Sequence, residues 1–159
     1  MTGAGMVQEW RGVTRETFEK EIRPSGRPAL LRALAADWPA TQAALRSDEA
    51  LVEHVAAFDA GRPLSTYVGA PSIKGRFFYR EDVRGFNFDR GQASFLAVAR
   101  KLLADRASGS GPAIYTGAAA ADEFFPGFAQ ANRMPLLDGV MPRLWIGNAV
   151  TISTHYDVA

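Results

Sequence analysis

The sequence predicts an α+β domain, and three observations carry that prediction. Apolar residues recur at helical spacing in several separate segments. Between them lie short apolar runs cut by glycine and proline, too short for helices. Helices mix with short strands along the chain and strand-like segments gather at its C-terminal end, an order that is α+β in character. No internal repeat, low-complexity tract or interdomain linker is visible.

Residues 1–8 read as a flexible tail and residues 9–159 as one domain. Thr14 is placed to cap a short helix that carries Phe18 and Ile22 one turn apart and stops before Pro24. Ser25-Gly26-Arg27-Pro28 is a turn signal, and the run Ala29-Leu30-Leu31-Arg32-Ala33-Leu34 after it predicts a short buried strand. Asp37-Trp38-Pro39-Ala40 turns the chain into a helical stretch. Ser47 then caps a second helix through Leu51, Val52 and Val55. Gly61-Arg62-Pro63 breaks that pattern.

Residues 64–68 and 76–80 have strand composition, and residues 85–91 read as an irregular loop studded with aromatics. Phe95, Leu96, Val98, Ala99, Leu102 and Leu103 give residues 93–105 the apolar stripe of an amphipathic helix. Residues 113–116 predict a strand, residues 118–121 the start of a helical turn stopped by Pro126, and residues 135–142 a loop. Two strands close the sequence, residues 143–146 and 150–157, separated by Gly147-Asn148.

Composition narrows the function classes. Hydrophobic residues make up 47% of the chain, enough for a core. A net charge of +1 gives no electrostatic reason to expect nucleic acid or a membrane surface as partner. The absence of cysteine excludes disulfides, thiolate metal sites and a cysteine nucleophile. No apolar run approaches the roughly 18 residues of a membrane span. The N-terminus has neither the basic start nor the apolar stretch of a secretory signal. A soluble, cytoplasmic protein is the expectation.

The last strand carries the most chemistry. Alternation puts Thr151, Ser153, His155 and Asp157 on one face, beside a Trp145-Ile146 strand that reads as buried. A polar inward face is costly unless it is hydrogen-bonded or bound to a metal. His155 and Asp157 stand two apart, so one imidazole and one carboxylate can converge on a single ion. A 2-His-1-carboxylate iron site needs exactly that pair and one further histidine. The plain alternative is a polar strand facing solvent, which so short a motif reaches often by chance.

Other residues carry less. His54 falls among helical residues and reads as an ordinary surface or boundary histidine. Trp38 reads as a packing anchor, and Phe77, Phe78, Tyr79, Phe86 and Phe88 as core against the sheet, with a substrate cleft as their alternative. The arginines at 80, 84 and 90 alternate with Glu81, Asp82 and Asp89 as a solvated mixed-charge face. Gly109-Ser110-Gly111 lacks the lysine and hydroxyl residue of a phosphate loop.

The run from Leu144 through Trp-Ile-Gly-Asn-Ala-Val-Thr-Ile-Ser-Thr to His155-Tyr156-Asp157 resembles the metal-binding strand of the cupin-like, Jumonji-C-related Fe(II)/2-oxoglutarate-dependent oxygenases. Arg27-Pro28-Ala29-Leu30-Leu31-Arg32 with Asp37-Trp38-Pro39-Ala40 resembles that family's opening, and Arg76-Phe77-Phe78-Tyr79 with Phe86-Asn87-Phe88 its next aromatic stretch. The resemblance runs in the expected order from about Trp10 onward. It implies a double-stranded β-helix (cupin or jelly-roll) of which this chain holds the N-terminal helices and first core strands, truncated at Ala159.

It also implies an Fe(II) cofactor held by His155 and Asp157, 2-oxoglutarate as small-molecule cosubstrate, and a third ligand histidine on a later strand. Tyr115 is the residue implied to reach the cosubstrate. Where many relatives carry a threonine three residues before the first ligand, this chain has Ile152, so Thr151 and Ser153 are the candidates for that contact. Protein side chains are the substrate class implied, and a homodimer built through later elements the assembly. With two of three ligands, the 159-residue chain alone is expected to be inactive. The readings that remain beside it are a cupin-like binding or interaction module without activity, and an α+β domain whose terminal His and Asp are incidental.

Overall fold

The computed structural model describes residues 6–137, 139–148 and 151–152. Its centre is a four-stranded antiparallel sheet in the order β5-β3-β6-β7, formed by β3 (Leu64–Gly69), β5 (Phe88–Ala93), β6 (Ala113–Ala120) and β7 (Arg143–Gly147). Mixed helices and an antiparallel sheet are the α+β class that the sequence predicts.

Helices cover one face of this sheet. Thr14 caps α1 (Arg15–Thr17) through its hydroxyl, as expected, and the chain runs on through a wider turn, Phe18–Ile22, that buries Ile22. After a short 3-10 turn comes β2 (Ala29–Arg32), paired in parallel with β1 (Gln8–Arg11). The strand at Gln8–Arg11 has no apolar alternation to announce it. Its pairing rests on main-chain bonds and on the exposed Glu9–Arg32 ion pair.

Pro39 opens α2 (Pro39–Arg46), and the Ser47 hydroxyl accepts from the Ala50 amide to start α3 (Asp48–Ala56). α4 (Phe95–Ser108) is capped by Ser94 and ends at Gly109, whose φ of 66° makes the left-handed stop. Val55, Phe95 and Ala99 from these helices pack with Leu64 and Ala119 from the sheet and with Phe125, which is fully buried. Phe125 follows α5 (Ala121–Phe124); α6 (Phe128–Ala131) comes next. The core therefore lies between the helices and one face of the sheet.

Three local expectations are corrected. Residues 88–91 of the expected loop are strand: they open β5, because the main chain of Phe88–Ala93 pairs along the whole of β3 from Leu64↔Ala93 to Gly69↔Phe88. Residues 118–120 continue β6 where a helix was expected, through a bulge between Thr116 and Ala119 with Ala118 at φ 58°. Trp145 is 56% exposed, since β7 buries its helix-side residues Leu144 and Ile146 against the core and turns Trp145 the other way.

The chain changes sheets after β7. β8 (Thr151–Ile152) leaves β6 and β7 and pairs in parallel with β4 (Arg76–Phe77), in the register Arg76↔Thr151 and Phe77↔Ile152. Asn148 holds the corner before it. Its side chain accepts from the Ile114 amide at 3.0 Å and donates to the Pro112 carbonyl at 2.8 Å, while its own amide donates to the Ile114 carbonyl.

Candidate functional site

The second face of the sheet carries the aromatics. Cross-strand register sets Arg90 opposite Tyr67, Tyr67 opposite Tyr115, and Tyr115 opposite Gly147. Directly opposed residues share a face, so these four form one row across four strands. Tyr67 and Tyr115 stand 5.8 Å apart between ring centroids. Phe88 lies 5.7 Å from Tyr67, and Phe77 from β4 lies 5.2 Å from Phe88 and 6.2 Å from Tyr115.

The Tyr115 ring leans along its own strand over Gly117. A Cβ placed on Gly117 would stand 2.5 Å from the phenol oxygen and 2.7 Å from Cζ, so glycine at 117 makes the room that the ring occupies. At the far end of the row Gly147 leaves the position beside Tyr115 without a side chain. The aromatics at 77–88 are therefore not core, contrary to the sequence expectation. Phe77, Phe86 and Phe88 are half-buried against the sheet, and Phe78 and Tyr79 are 44% and 49% exposed. The hydrophobic core lies on the other face, and these rings build a separate aromatic wall.

A ribbon anchors that wall. Residues 76–80 run antiparallel to residues 85–88, joined by the Tyr79↔Phe86 bridge. Asn87 donates to the Arg76 carbonyl at 2.9 Å and accepts from the Phe78 amide at 2.9 Å. Tyr79 stacks on Phe86 and Phe86 on Phe88, at 5.0 and 4.9 Å. Because β8 runs beside β4, the segment that leads to His155 starts next to Phe77.

Of the residues singled out from the sequence, Tyr115 sits in the wall and the main chain of Thr151 pairs at its rim. Ser153, His155 and Asp157 lie outside the described residues. Among the described residues no group of three His, Asp or Glu side chains could hold a metal ion. His54 is half-buried on α3, 5.3 Å from the Phe58 ring and 6.2 Å from Phe128, in the helical layer across the sheet from Tyr115. Trp38 is the anchor expected of it, donating from its indole to the Arg133 carbonyl at 2.9 Å.

Sequence reasoning missed Tyr67 and Arg90. The signal was present: Phe86, Phe88, Arg90 and Gln92 alternate with Asn87, Asp89 and Gly91, the period-2 pattern of a strand with one aromatic face. A cavity of about 1000 Å³ lies on the helical side, walled by Leu51, Val52, Phe95, Leu102, Leu144 and Ile146. Asp48, Asp105, Arg106 and Asn148 also line it, and the candidate cosubstrate residue Tyr115 faces the other way. No helix among the described residues is long and apolar enough to cross a membrane.

A family model described as a cupin-like domain matches residues 15–159. No curated protein matches the chain. The match takes in the helical layer, the sheet, the aromatic wall and the segment after β8 together, and on that extent the chain belongs to the cupin-like domain family.

Proposed function

We propose that the chain contributes the site of an Fe(II)/2-oxoglutarate-dependent dioxygenase of the hydroxylase type. The observation that supports this reading most is the parallel pairing of β8 with β4. It sets Ile152, three residues before His155, opposite Phe77, whose ring lies 6.2 Å from that of Tyr115. The donor set suits ferrous iron, for which imidazole and carboxylate are ordinary ligands. His155 and Asp157 would hold the ion. His54 does not supply the third position, because it lies in the helical layer between two phenylalanine rings.

When bound, iron and cosubstrate supply the oxidative chemistry: 2-oxoglutarate and O2 become succinate and CO2 as a substrate C–H bond is oxidised. The chain's own residues position and exclude. The Tyr115 phenol is the donor offered to a cosubstrate carboxylate, with its ring held by Tyr67, Phe77 and Gly117. Thr151 and Ser153 offer hydroxyls for the same purpose. Phe77 and Phe88 keep one side of this space apolar, which strengthens the polar contacts made within it.

Succinate release from 2-oxoglutarate by the protein as its gene encodes it tests the proposal. Turnover that requires Fe(II) and is lost in both His155→Ala and Asp157→Ala is expected; normal turnover in both variants refutes the ligand assignment. Ile152, at the position where many relatives carry threonine, favours a second reading, a cupin-like binding module without activity. Metal-independent ligand binding with no succinate would select it.

A further inference from the structure

The Arg90 side chain stands at the open end of the row Arg90–Tyr67–Tyr115–Gly147. Its guanidinium lies 4.3 Å from the Phe86 ring centroid and 5.8 Å from those of Tyr67 and Phe88. It is exposed, and among the described residues no carboxylate pairs with it. Its sequence neighbour Asp89 points to the opposite face of β5 by alternation and pairs across to Val68. Stacking on rings occupies the flat faces of a guanidinium and leaves its in-plane N–H fork free. Three rings thus fix the orientation of a cation whose hydrogen-bonding edge is unused.

We propose that Arg90 reads a carboxylate of the substrate, so that the site takes peptides or small molecules bearing an acidic group. The inference rests on the oxygenase reading for the word substrate, but not for the contact itself. Neighbouring strands lie about 4.8 Å apart, which sets Arg90 about 10 Å from Tyr115 along the row. That main-chain spacing sets an anchoring group apart from a reacting centre near Tyr115. One stacked arginine matches a single carboxylate fork. A polyanion would need a field of like charges, whereas Glu81, Asp82 and Asp89 stand among the arginines of this segment.

The test titrates the 15N-labelled full chain with acetyl-Gly-Glu-Gly-amide and, as uncharged control, acetyl-Gly-Gln-Gly-amide, reading the Arg90 Nε–H resonance and the Gly91 amide. The glutamate peptide is expected to shift both saturably and to bind at least about tenfold more tightly than the glutamine peptide. Arg90→Gln should remove that preference at the Gly91 amide, and Arg90→Lys should fail to restore it, since the ammonium lacks the fork. Equal affinity for the two peptides, or an unchanged preference in Arg90→Gln, overturns the proposal. So does a loss of 2-oxoglutarate affinity in Arg90→Gln with the peptide preference intact, which would assign the arginine to the cosubstrate. His155→Ala keeps the peptide preference, so a failed iron site and a failed carboxylate site give different results.

Discussion

Gly147 is where the sequence Trp-Ile-Gly-Asn meets a hard geometric limit. A Cβ built on it lands on the Ile114 carbonyl oxygen, with the Ile114 carbonyl carbon at 3.4 Å and the Tyr115 Cα at 3.3 Å. The atoms in the way are main chain, so no rotamer change relieves the overlap. β7 would have to move off β6, stretching the bond from the Asn148 amide to that same oxygen, now 3.2 Å. Inserting one methyl against an unyielding neighbour costs about 1–3 kcal/mol, and rigid backbone puts Gly147→Ala in the upper half of that range. In a domain of this size about 2 kcal/mol lowers Tm by about 4–8 °C. Gly91→Ala is the control, since it lies in the same sheet with nothing within 4 Å of its built Cβ. It should fall within about 0.5 kcal/mol of the parent or be slightly stabilising. Urea and thermal denaturation of both variants check this. Equal stability of Gly147→Ala and Gly91→Ala would refute the close-approach argument.

Asn148→Ala removes the partner of the Ile114 amide, on a residue only 4% exposed, and should cost about 1–3 kcal/mol by denaturation, more than Asn87→Ala on the exposed ribbon. Ser47→Ala should cost about 1 kcal/mol through the lost cap on α3. Its deficit should depend on pH. Glu49's own backbone amide, then the Ser47 hydroxyl, hold the Glu49 carboxyl below the ordinary carboxylate range. A lowered carboxyl contributes stability above its unfolded pKa and loses it as pH falls through the folded value. The Ser47→Ala deficit is therefore larger at neutral pH than in acid, and denaturation curves showing the reverse order would refute the assignment. Gly117→Ala displaces the Tyr115 phenol, a movable side chain, so KM for 2-oxoglutarate should rise at least about threefold while stability changes by less than about 1 kcal/mol.

Much of the helical layer was legible because caps are local chemistry. Thr14 and Ser47 each act within a few residues, and the structure uses them as the sequence predicts. The strands were harder. β5 carries Asp89, Arg90 and Gly91 in succession, which look like a loop until β3 is present to pair with them. Ala118–Ala120 has helix propensity, but pairing with Arg143 and Leu144 and a bulge at Ala118 override it. The wall at 77–88 was read as core because aromatic residues alone do not reveal which sheet face the helices will cover. His155 and Asp157 are proposed from a motif and Tyr115 from a resemblance, and of the three only Tyr115 lies among the described residues. The row linking Tyr115 to Tyr67 and Arg90 depends on register between strands distant in sequence, which no local pattern encodes.

The central claim is that the His155–Asp157 segment holds a divalent ion beside the aromatic wall. Paramagnetic line broadening by Mn(II) in the 15N-labelled chain tests it most directly, because broadening reports even weak binding and its place. Broadening centred on the amides of Phe77, Tyr115 and Thr151, sparing His54 and the α3–α6 layer, and abolished in both His155→Ala and Asp157→Ala, is the predicted result. Broadening absent from the wall, or unchanged in the two variants, would contradict the account.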